Sequence, residues 1–258
     1  MEEKKTKIIS VVNQKGGVGK TTTVINIATV FSALHKKVLI IDFDPQSNAG
    51  SGVGLTLKDR EEHNIYDLLT QEKDVNDIVF KTKIPNLDIM PCTVDLASAE
   101  VDLASADNRE FRLRDEVVKI KDNYDYIFID CPPSLGLLTI NALVASTTII
   151  IPLQCEFFAL EGLSHLLDTA ERIRDNFNSE LNINGIILTM YDKRNKLTEQ
   201  VDNDVRDCLG DMVYKTVIPR NIKLSESPSH GVPAIIYDSN CPGSVAYMKL
   251  AEEMIQRI

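Results

Sequence analysis

The chain has 258 residues, 43% of them hydrophobic, which is typical of a soluble globular protein, and its formal net charge is −10. This charge argues against wholesale coating of nucleic acid or of an anionic membrane, although a local basic patch remains compatible with it. No apolar run approaches the ~20 residues of a membrane span, and the charged start lacks the apolar core of a signal peptide. These features predict a cytoplasmic protein. Five widely spaced cysteines without a C-x-x-C pair support neither a disulfide framework nor a zinc site.

Short β-branched apolar runs alternate with amphipathic stretches along the chain. The runs predict strands at 8–12, 38–41, 87–90, 126–129, 148–151, 186–188 and 213–218. The stretches predict helices at 21–34, 65–69, 75–79, 109–121, 137–145, 160–177, 197–209 and 244–258. The segment 96–108 fits either a helix or a mobile loop. Near-continuous Val/Ile/Leu runs suit parallel strands covered on both faces. We therefore expect one α/β domain over 1–258, built on a doubly wound, mostly parallel sheet with helices on both faces.

The first predicted strand leads directly into a glycine-rich loop and a helix start, reading NQKGGVGKTTT over residues 13–23. In this order, successive backbone N–H groups can curl around an anion, and the helix N-terminus adds the positive end of its dipole. We expect Lys20 to reach the β- and γ-phosphates of a nucleotide and the Thr21 hydroxyl to complete a Mg²⁺ shell. The further candidate nucleotide-binding residues of the loop are Gly16, Gly17, Val18, Gly19 and Thr22.

The loop departs from the common pattern G-x-x-x-x-G-K-[ST], because Gln14 stands where glycine is usual and Lys15 follows it. A second lysine beside one phosphate site is more positive charge than one nucleotide normally recruits from one chain. One explanation is that Lys15 reaches a nucleotide held by a second copy of the protein. The alternative is a glycine-rich turn with two solvated lysines, which the flanking strand and helix argue against.

Acidic residues at two further strand ends indicate hydrolysis as well as binding. Asp42 and Asp44 follow the second strand, and ligands of open α/β sheets sit beyond the carboxyl ends of strands, so both should face the phosphates. A carboxylate there can orient an attacking water or hold a Mg²⁺-bound water. Asp130 ends the fourth strand, where P-loop enzymes carry their Mg²⁺-side carboxylate. The prolines that follow, at 132 and 133, suit a switch that senses the γ-phosphate.

Two later strand ends should lie on the same rim and could hold the nucleoside. Apolar atoms of Met190 and Pro219 could pack against the base, and Asp192 or Asn221 could bond to its edge. By themselves these segments are ordinary loops.

Several of these runs together resemble a known family. The runs at 15–21, 42–46 and 129–134 resemble the P-loop ATPases with a deviant Walker A motif. With further matching runs at 151–162, 189–194 and 218–229, nearly the whole chain resembles the ParA/Soj-type chromosome- and plasmid-partitioning ATPases.

The resemblance implies that the chain binds ATP and Mg²⁺ and forms a nucleotide-sandwich homodimer that binds double-stranded DNA without sequence preference. It also implies weak hydrolysis of ATP to ADP and phosphate, stimulated by a ParB-type centromere-binding partner, and association with the nucleoid in the ATP-bound state.

The resemblance also implies roles for individual residues. Lys15 matches the lysine that crosses to the partner's nucleotide, and Asp44 matches the residue associated with the hydrolytic water. Asp130 matches the Mg²⁺-side carboxylate. With Lys20, these are the candidate catalytic residues, and Thr21, Asp44 and Asp130 are the candidates for holding Mg²⁺. Arg194 and Lys223 match positions where basic residues contact DNA; the second is often arginine, but lysine keeps the charge that a phosphate contact needs.

Three alternatives within the same fold make different demands on the sequence. A membrane-cycling protein of the MinD type needs a C-terminal amphipathic helix rich in Lys and Arg, whereas this chain ends with mixed charges that include Glu252 and Glu253. We expect that helix to pack on the sheet, with no membrane contact. An iron–sulfur carrier needs closely spaced cysteines, which are absent from the sequence. The complete set of carboxylates argues against a nucleotide-gated scaffold without turnover.

Overall fold

The computed structural model describes residues 5–70 and 72–258. The strands within these residues are β1 Lys7–Val11, β2 Val38–Asp42, β3 Phe80–Lys81, β4 Leu87–Met90, β5 Tyr126–Asp130, β6 Thr148–Gln154 and β7 Asn182–Thr189. The α-helices are α1 Lys20–Ala33, α2 Asn48–Gly52, α3 Leu57–Glu62, α4 Ile65–Leu69, α5 Val75–Ile78, α6 Ala99–Asp102, α7 Arg112–Ile120, α8 Leu137–Ala145, α9 Ala159–Asn176, α10 Lys196–Leu209, α11 Ile222–Glu226, α12 Ala234–Tyr237 and α13 Pro242–Arg257. Short 3₁₀ helices lie at Val94–Ser98, Arg109–Phe111, Lys121–Asn123, Gly210–Met212 and Ser227–His230.

The strands form one sheet in the order β3-β4-β2-β5-β1-β6-β7. All neighbouring pairs are parallel except β3 and β4. Every residue of β2 is buried, and its side chains alternate between two apolar cores: Leu39 and Ile41 pack on one face, Val38 and Ile40 on the other. Because both faces are covered by helices, the strands are nearly continuous apolar runs. The predicted fold class is confirmed.

The central strands bring the predicted site residues to one edge of the sheet. β5 lies between β1 and β2, and Asp42 at the end of β2 is directly opposite Asp130 at the end of β5. In the same register, Val11 at the end of β1 is also opposite Asp130. The glycine-rich loop that follows β1 therefore begins beside the two acidic strand ends.

The predicted strand at 213–218 is wrong. This segment forms isolated bridges to the sheet near its two ends, and Ile218 N donates to Leu188 O at 2.8 Å, but no continuous ladder forms. Its middle is held by α13, since the Glu253 carboxylate accepts hydrogen bonds from Lys215 N at 2.8 Å and Thr216 N at 3.0 Å. Those N–H groups are then unavailable to a strand ladder. The two-residue strand β3, the antiparallel edge of the sheet, was not predicted.

The segment 96–108 and the C-terminal segment are both partly or wholly helical in the structure. The segment 96–108 is helical only in its first half, where a 3₁₀ turn runs into α6. The C-terminal helix α13 packs against α1, burying Tyr247, Leu250 and Met254, and the Tyr247 hydroxyl lies 3.1 Å from Thr23 Oγ1. Its apolar face is thus occupied by the protein's own core. In the part of the chain that the structure describes, no helix has the length and apolarity to cross a membrane.

Candidate nucleotide site and basic loops

The loop between β1 and α1 is held in a curled conformation. The Asn13 side chain fixes its start, since Nδ2 donates to Pro152 O at 2.7 Å and Oδ1 accepts from Lys15 N at 2.9 Å. Gly17 and Gly19 have backbone φ angles of 77° and 90°, which residues with a Cβ atom rarely adopt. Helix α1 begins at Lys20, immediately after this turn. The arrangement is the anion cradle that the sequence predicts.

A cavity of about 560 Å³ opens in front of this loop. Its lining includes Gly16, Gly17, Gly19, Lys20, Thr21 and Thr22 from the loop and α1, Asp44 and Gln46 after β2, Pro133 after β5, and Met190 after β7. Residues from four strand ends thus converge on one space. Val18 is outside this lining: its side chain is buried, and its carbonyl accepts a hydrogen bond from Thr189 Oγ1 at 2.8 Å.

Lys20 is a buried cation whose charge interacts with those of Asp130 and Asp44. The residue is 6% exposed, and its Nζ donates to Lys15 O at 3.2 Å. Burial lowers the pKa of Lys20, and the negative charges of Asp130 and Asp44 oppose that shift. A lysine in this setting can face phosphate oxygens with little competition from water.

The Asp130 carboxylate is buried, while the Asp130 backbone carbonyl accepts a hydrogen bond from Phe43 N at 3.0 Å. Neither carboxylate oxygen has a hydrogen-bond partner among the described residues, although both are inaccessible to solvent. Burial first, and then repulsion from Asp42, raise the pKa of Asp130 well above its ordinary value, while Thr21 and Lys20 act in the opposite direction. Since buried carboxylates need compensation, this side chain fits a role in holding a cation and its water.

Asp44 differs from Asp130 because it lines the cavity. It is 7% exposed, and its Oδ1 accepts a hydrogen bond from Gln46 N at 3.0 Å. No three His, Cys, Asp or Glu side chains in the described residues are grouped to hold a metal ion alone. Mg²⁺ usually takes one or two carboxylates together with phosphate and water. Asp44, Asp130 and the Thr21 hydroxyl therefore fit a nucleotide-bound Mg²⁺.

Asp42 does not face the cavity, contrary to expectation. Its Oδ2 accepts a hydrogen bond from Gly50 N at 2.9 Å, which ties β2 to α2. Burial raises the pKa of Asp42 to about 7, even though the Gly50 N–H bond lowers it. Asp42 thus supports the segment that carries Asp44.

A second cavity of about 240 Å³ adjoins the first and shares with it Met190, Gly19 and Thr22. Pro219 and Asn221 also line it, so the structure brings together three of the four residues proposed for the nucleoside. Asp192 is not among them. Both of its carboxylate oxygens bond instead to the Arg194 guanidinium.

Lys15 lies in an environment unlike that of Lys20. Its side chain is half exposed and forms an ion pair with Glu156, between β6 and α9. These two residues border a separate cavity beside Phe157 and Phe158, both of which are strongly exposed. The two lysines of one loop therefore lie in different environments: Lys20 lines the nucleotide cavity, and Lys15 lies near the protein surface.

The two cations predicted to contact DNA lie in segments that are joined by backbone hydrogen bonds. Tyr191 N donates to Ile218 O at 2.9 Å, and Arg220 N donates to Tyr191 O at 3.1 Å, which joins the loop after β7 to the loop before α11. Arg194 occupies the first loop and is 90% exposed in its side chain. Lys223, in α11, pairs with Glu226 at 2.9 Å.

Sequence reasoning missed a further wall of the main cavity. Asn48 and Ser51 of α2, and Ser227 and Pro228 beyond α11, line it as well. These segments meet where a Cβ on Gly54 would lie 2.8 Å from the carbonyl oxygen at position 231. The glycine-dense run at 50–54 is the signal in the sequence for this close approach.

Comparison with known proteins identifies the family. A family model described as an AAA domain matches residues 6–183. The chromosome partitioning protein ParA of Caulobacter vibrioides is 50% identical over 253 residues, which cover 97% of this chain and 94% of that protein. This chain belongs to the ParA/Soj family of chromosome-partitioning ATPases.

Other relatives support the ATPase assignment. The chromosome-partitioning ATPase Soj of Treponema pallidum is 47% identical, with 97% of this chain and 98% of that protein covered. A solved structure of cobyrinic acid a,c-diamide synthase from Mycobacterium smegmatis, with a bound ATP analogue and magnesium, has a TM-score of 0.84 and 31% identity. It covers 97% of this chain and 95% of that one. The ParA/Soj fold thus includes related proteins that hold nucleotide and magnesium.

Proposed function

We propose that this ParA/Soj-family ATPase is an ATP-operated switch for DNA partitioning. With ATP and Mg²⁺ it forms a nucleotide-sandwich homodimer, and the dimer binds double-stranded DNA without sequence preference. A ParB-type centromere-binding partner stimulates hydrolysis to ADP and phosphate, which dissolves the dimer and releases the DNA. We place it in the cytoplasm, at the nucleoid when ATP is bound, and not on a membrane.

The proposed chemistry assigns separate tasks to the cavity residues. Lys20 and the backbone of residues 16–22 bind the phosphates, and Asp44 orients the attacking water at the open side of the cavity. Thr21, Asp44 and Asp130 would hold Mg²⁺, which, when bound, neutralises charge that develops on the phosphate oxygens. Met190, Pro219 and Asn221 take the base.

The dimer proposal depends above all on the contrast between the two lysines. Lys20 already supplies a buried cation to the phosphates, whereas Lys15 is half exposed and paired only with Glu156. An exposed ion pair is weak, so Lys15 can exchange Glu156 for a phosphate of greater charge on an approaching second copy.

We expect Lys15→Ala to bind ATP but to remain monomeric. The cation that faces the chain's own phosphates is Lys20, so intrinsic affinity should change by less than about threefold, the range of an exposed contact. ATP affinity by calorimetry and mass by light scattering, on the same samples, check both halves of this prediction. An ATP-dependent dimer of normal mass would remove Lys15 from the interface, and Lys58→Ala, at an exposed lysine of α3, serves as the matched control.

DNA binding by a chain of net charge −10 requires a concentrated set of cations. Lys193 and Arg194 lie in the loop after β7, Arg220 lies in the connected loop before α11, and Lys223 lies in α11 itself. A monomer offers few phosphate contacts against its own negative field, and a dimer doubles them. Since each neutralised phosphate releases counterions, affinity should rise steeply on dimerisation, and phosphates carry no base identity.

We expect Arg194→Glu to bind duplex DNA at least tenfold more weakly while it still dimerises with ATP. The change replaces one potential phosphate contact per subunit with a repulsive charge. Filter binding at matched salt with ATP measures the loss, and light scattering reports the dimer. If the variant holds DNA as tightly as the parent, these cations are an ordinary solvated rim.

A further inference from the structure

The two cations that match DNA-contacting positions are each neutralised by a carboxylate of their own chain. Arg194 makes a two-pronged pair with Asp192, from Nε to Oδ1 at 2.9 Å and from Nη2 to Oδ2 at 2.8 Å. Lys223 Nζ lies 2.9 Å from Glu226 Oε2. The hydrogen bonds from Arg194 lower the pKa of Asp192 to about 2, so Asp192 is ionised throughout the physiological range. Each pair therefore presents almost no net charge to a polyanion.

Neighbouring cations have no such partner. The side chains of Lys193 and Arg220 are exposed, and neither makes a hydrogen bond or an ion pair with another described residue, although the positive charge of Arg220 also helps to lower the pKa of Asp192. Both line a shallow groove of about 550 Å³ between the two loops, together with Asp192, Arg194 and the exposed Ile222. One groove thus contains two cations that are not hydrogen-bonded to a carboxylate and one that is.

We infer that Asp192 is a counter-charge that withholds Arg194 from DNA and so sets the strength and salt dependence of DNA binding by this groove. Lys193 and Arg220 make the first phosphate contacts, and Arg194 joins when a phosphate displaces Asp192. The inference rests on the proposed DNA-binding function and adds to it the residue that restrains it. Binding of this kind is easily reversed, because every captured phosphate competes with a carboxylate that is already in place.

The competition follows from charge and geometry. The Arg194 side chain is 90% exposed and that of Asp192 is 31% exposed, so salt screens their ion pair and the pair is weak. A phosphate can therefore displace the Asp192 carboxylate, even though two guanidinium N–H groups bind it. A cation already paired with a carboxylate displaces few counterions from DNA, because its charge is largely cancelled before contact. Removing the charge of Asp192 should therefore let each Arg194 bind a phosphate without competition and release that phosphate's counterions in full.

Position 192 permits a clean substitution. Asp192 Oδ1 also accepts a hydrogen bond from Arg194 N at 3.0 Å, and Asp192 O accepts one from Asn195 N at 3.0 Å. Asparagine keeps the Oδ1 acceptor, the size and the turn preference, and loses only the charge. Asp207, exposed on α10, provides the control, because Asp207→Asn removes the same single negative charge outside the groove.

The experiment is a salt titration of duplex DNA binding with saturating ATP for the parent, Asp192→Asn and Asp207→Asn. Light scattering of each sample measures the fraction of dimer, so that affinities are compared per dimer. We expect Asp192→Asn to bind several-fold more tightly at low salt. Its plot of log K against log salt should steepen by roughly 2, about 0.9 for each of two arginines, while Asp207→Asn stays near the parent.

A double variant tests the route of the effect. If the gain comes from release of Arg194, then Asp192→Asn combined with Arg194→Ala should bind no more tightly than Arg194→Ala alone. A gain that persists without Arg194, or an Asp192→Asn affinity equal to or below that of Asp207→Asn, overturns the inference. Failure of the parent chain to bind DNA with ATP would instead overturn the proposed function, so the two failures are distinguishable.

Discussion

Lys20→Ala is expected to abolish ATP binding at nucleotide concentrations that saturate the parent protein. Lys20 is buried, and its charge interacts with those of Asp130 and Asp44; without it, those carboxylates would repel the phosphates. Removing one charge from a buried set of opposite charges costs about 3–5 kcal/mol, on the order of 10²–10⁴-fold in Kd. Calorimetric titration with ATP and Mg²⁺ measures the loss directly.

Two comparisons make this result specific to the cradle. Lys249→Ala changes a lysine that is exposed on α13, and it should bind ATP like the parent. A thermal melt of Lys20→Ala without nucleotide shows whether the variant is folded. Undiminished ATP affinity in a folded Lys20→Ala protein would mean that the glycine-rich loop does not bind the phosphates as proposed.

The second large effect is expected for Asp44→Ala, which should bind ATP and dimerise but lose hydrolysis. Loss of a residue that positions the reacting proton or water typically lowers a rate by about 10²–10⁴-fold. The phosphate contacts of Lys20 and the loop backbone remain in the variant. The ATP-bound dimer should therefore persist and stay on DNA, as measured by phosphate release and by dissociation from duplex DNA.

Asp44→Asn separates chemistry from folding at the same position. Asparagine can still accept the hydrogen bond from Gln46 N, so the segment after β2 should keep its conformation. It lacks the anionic oxygen that orients water or a cation, and turnover should fall as it does in Asp44→Ala. Unchanged turnover in either variant would exclude the catalytic role of Asp44.

The architecture could be predicted from sequence because its causes are local. β2 and β5 are continuous apolar runs since both faces of the sheet are covered, and each ends at an aspartate where the chain leaves the core. The cradle could be predicted for the same reason: the order of strand, glycine-rich loop and helix is contained in about twenty consecutive residues.

The features that sequence did not predict depend on contacts between distant segments. The segment at 213–218 fails to pair as a strand because Glu253 takes two of its N–H groups. Lys15 pairs with Glu156, which is far away in sequence, and α2 joins the cavity wall where Gly54 closely approaches Gly231. No pattern within one segment contains these partners.

Asp192 illustrates a different limit. Its location after a strand end was predictable, but its role depends on whether its carboxylate bonds to a nucleotide or to Arg194. The structure directs it to Arg194, two residues away, and leaves Met190, Pro219 and Asn221 at the second cavity. Whether it also contacts a nucleotide stays a prediction, separate from its pairing with Arg194.

ATP is expected to convert this chain into a DNA-binding dimer. Duplex DNA binding measured in parallel without nucleotide, with ADP and with ATP, on two duplexes of unrelated sequence, tests this conversion. We predict binding only with ATP, equal for the two duplexes and falling steeply as salt rises. Equal binding in all three nucleotide states, or no binding with ATP, would show that ATP does not switch this chain into a DNA-binding form.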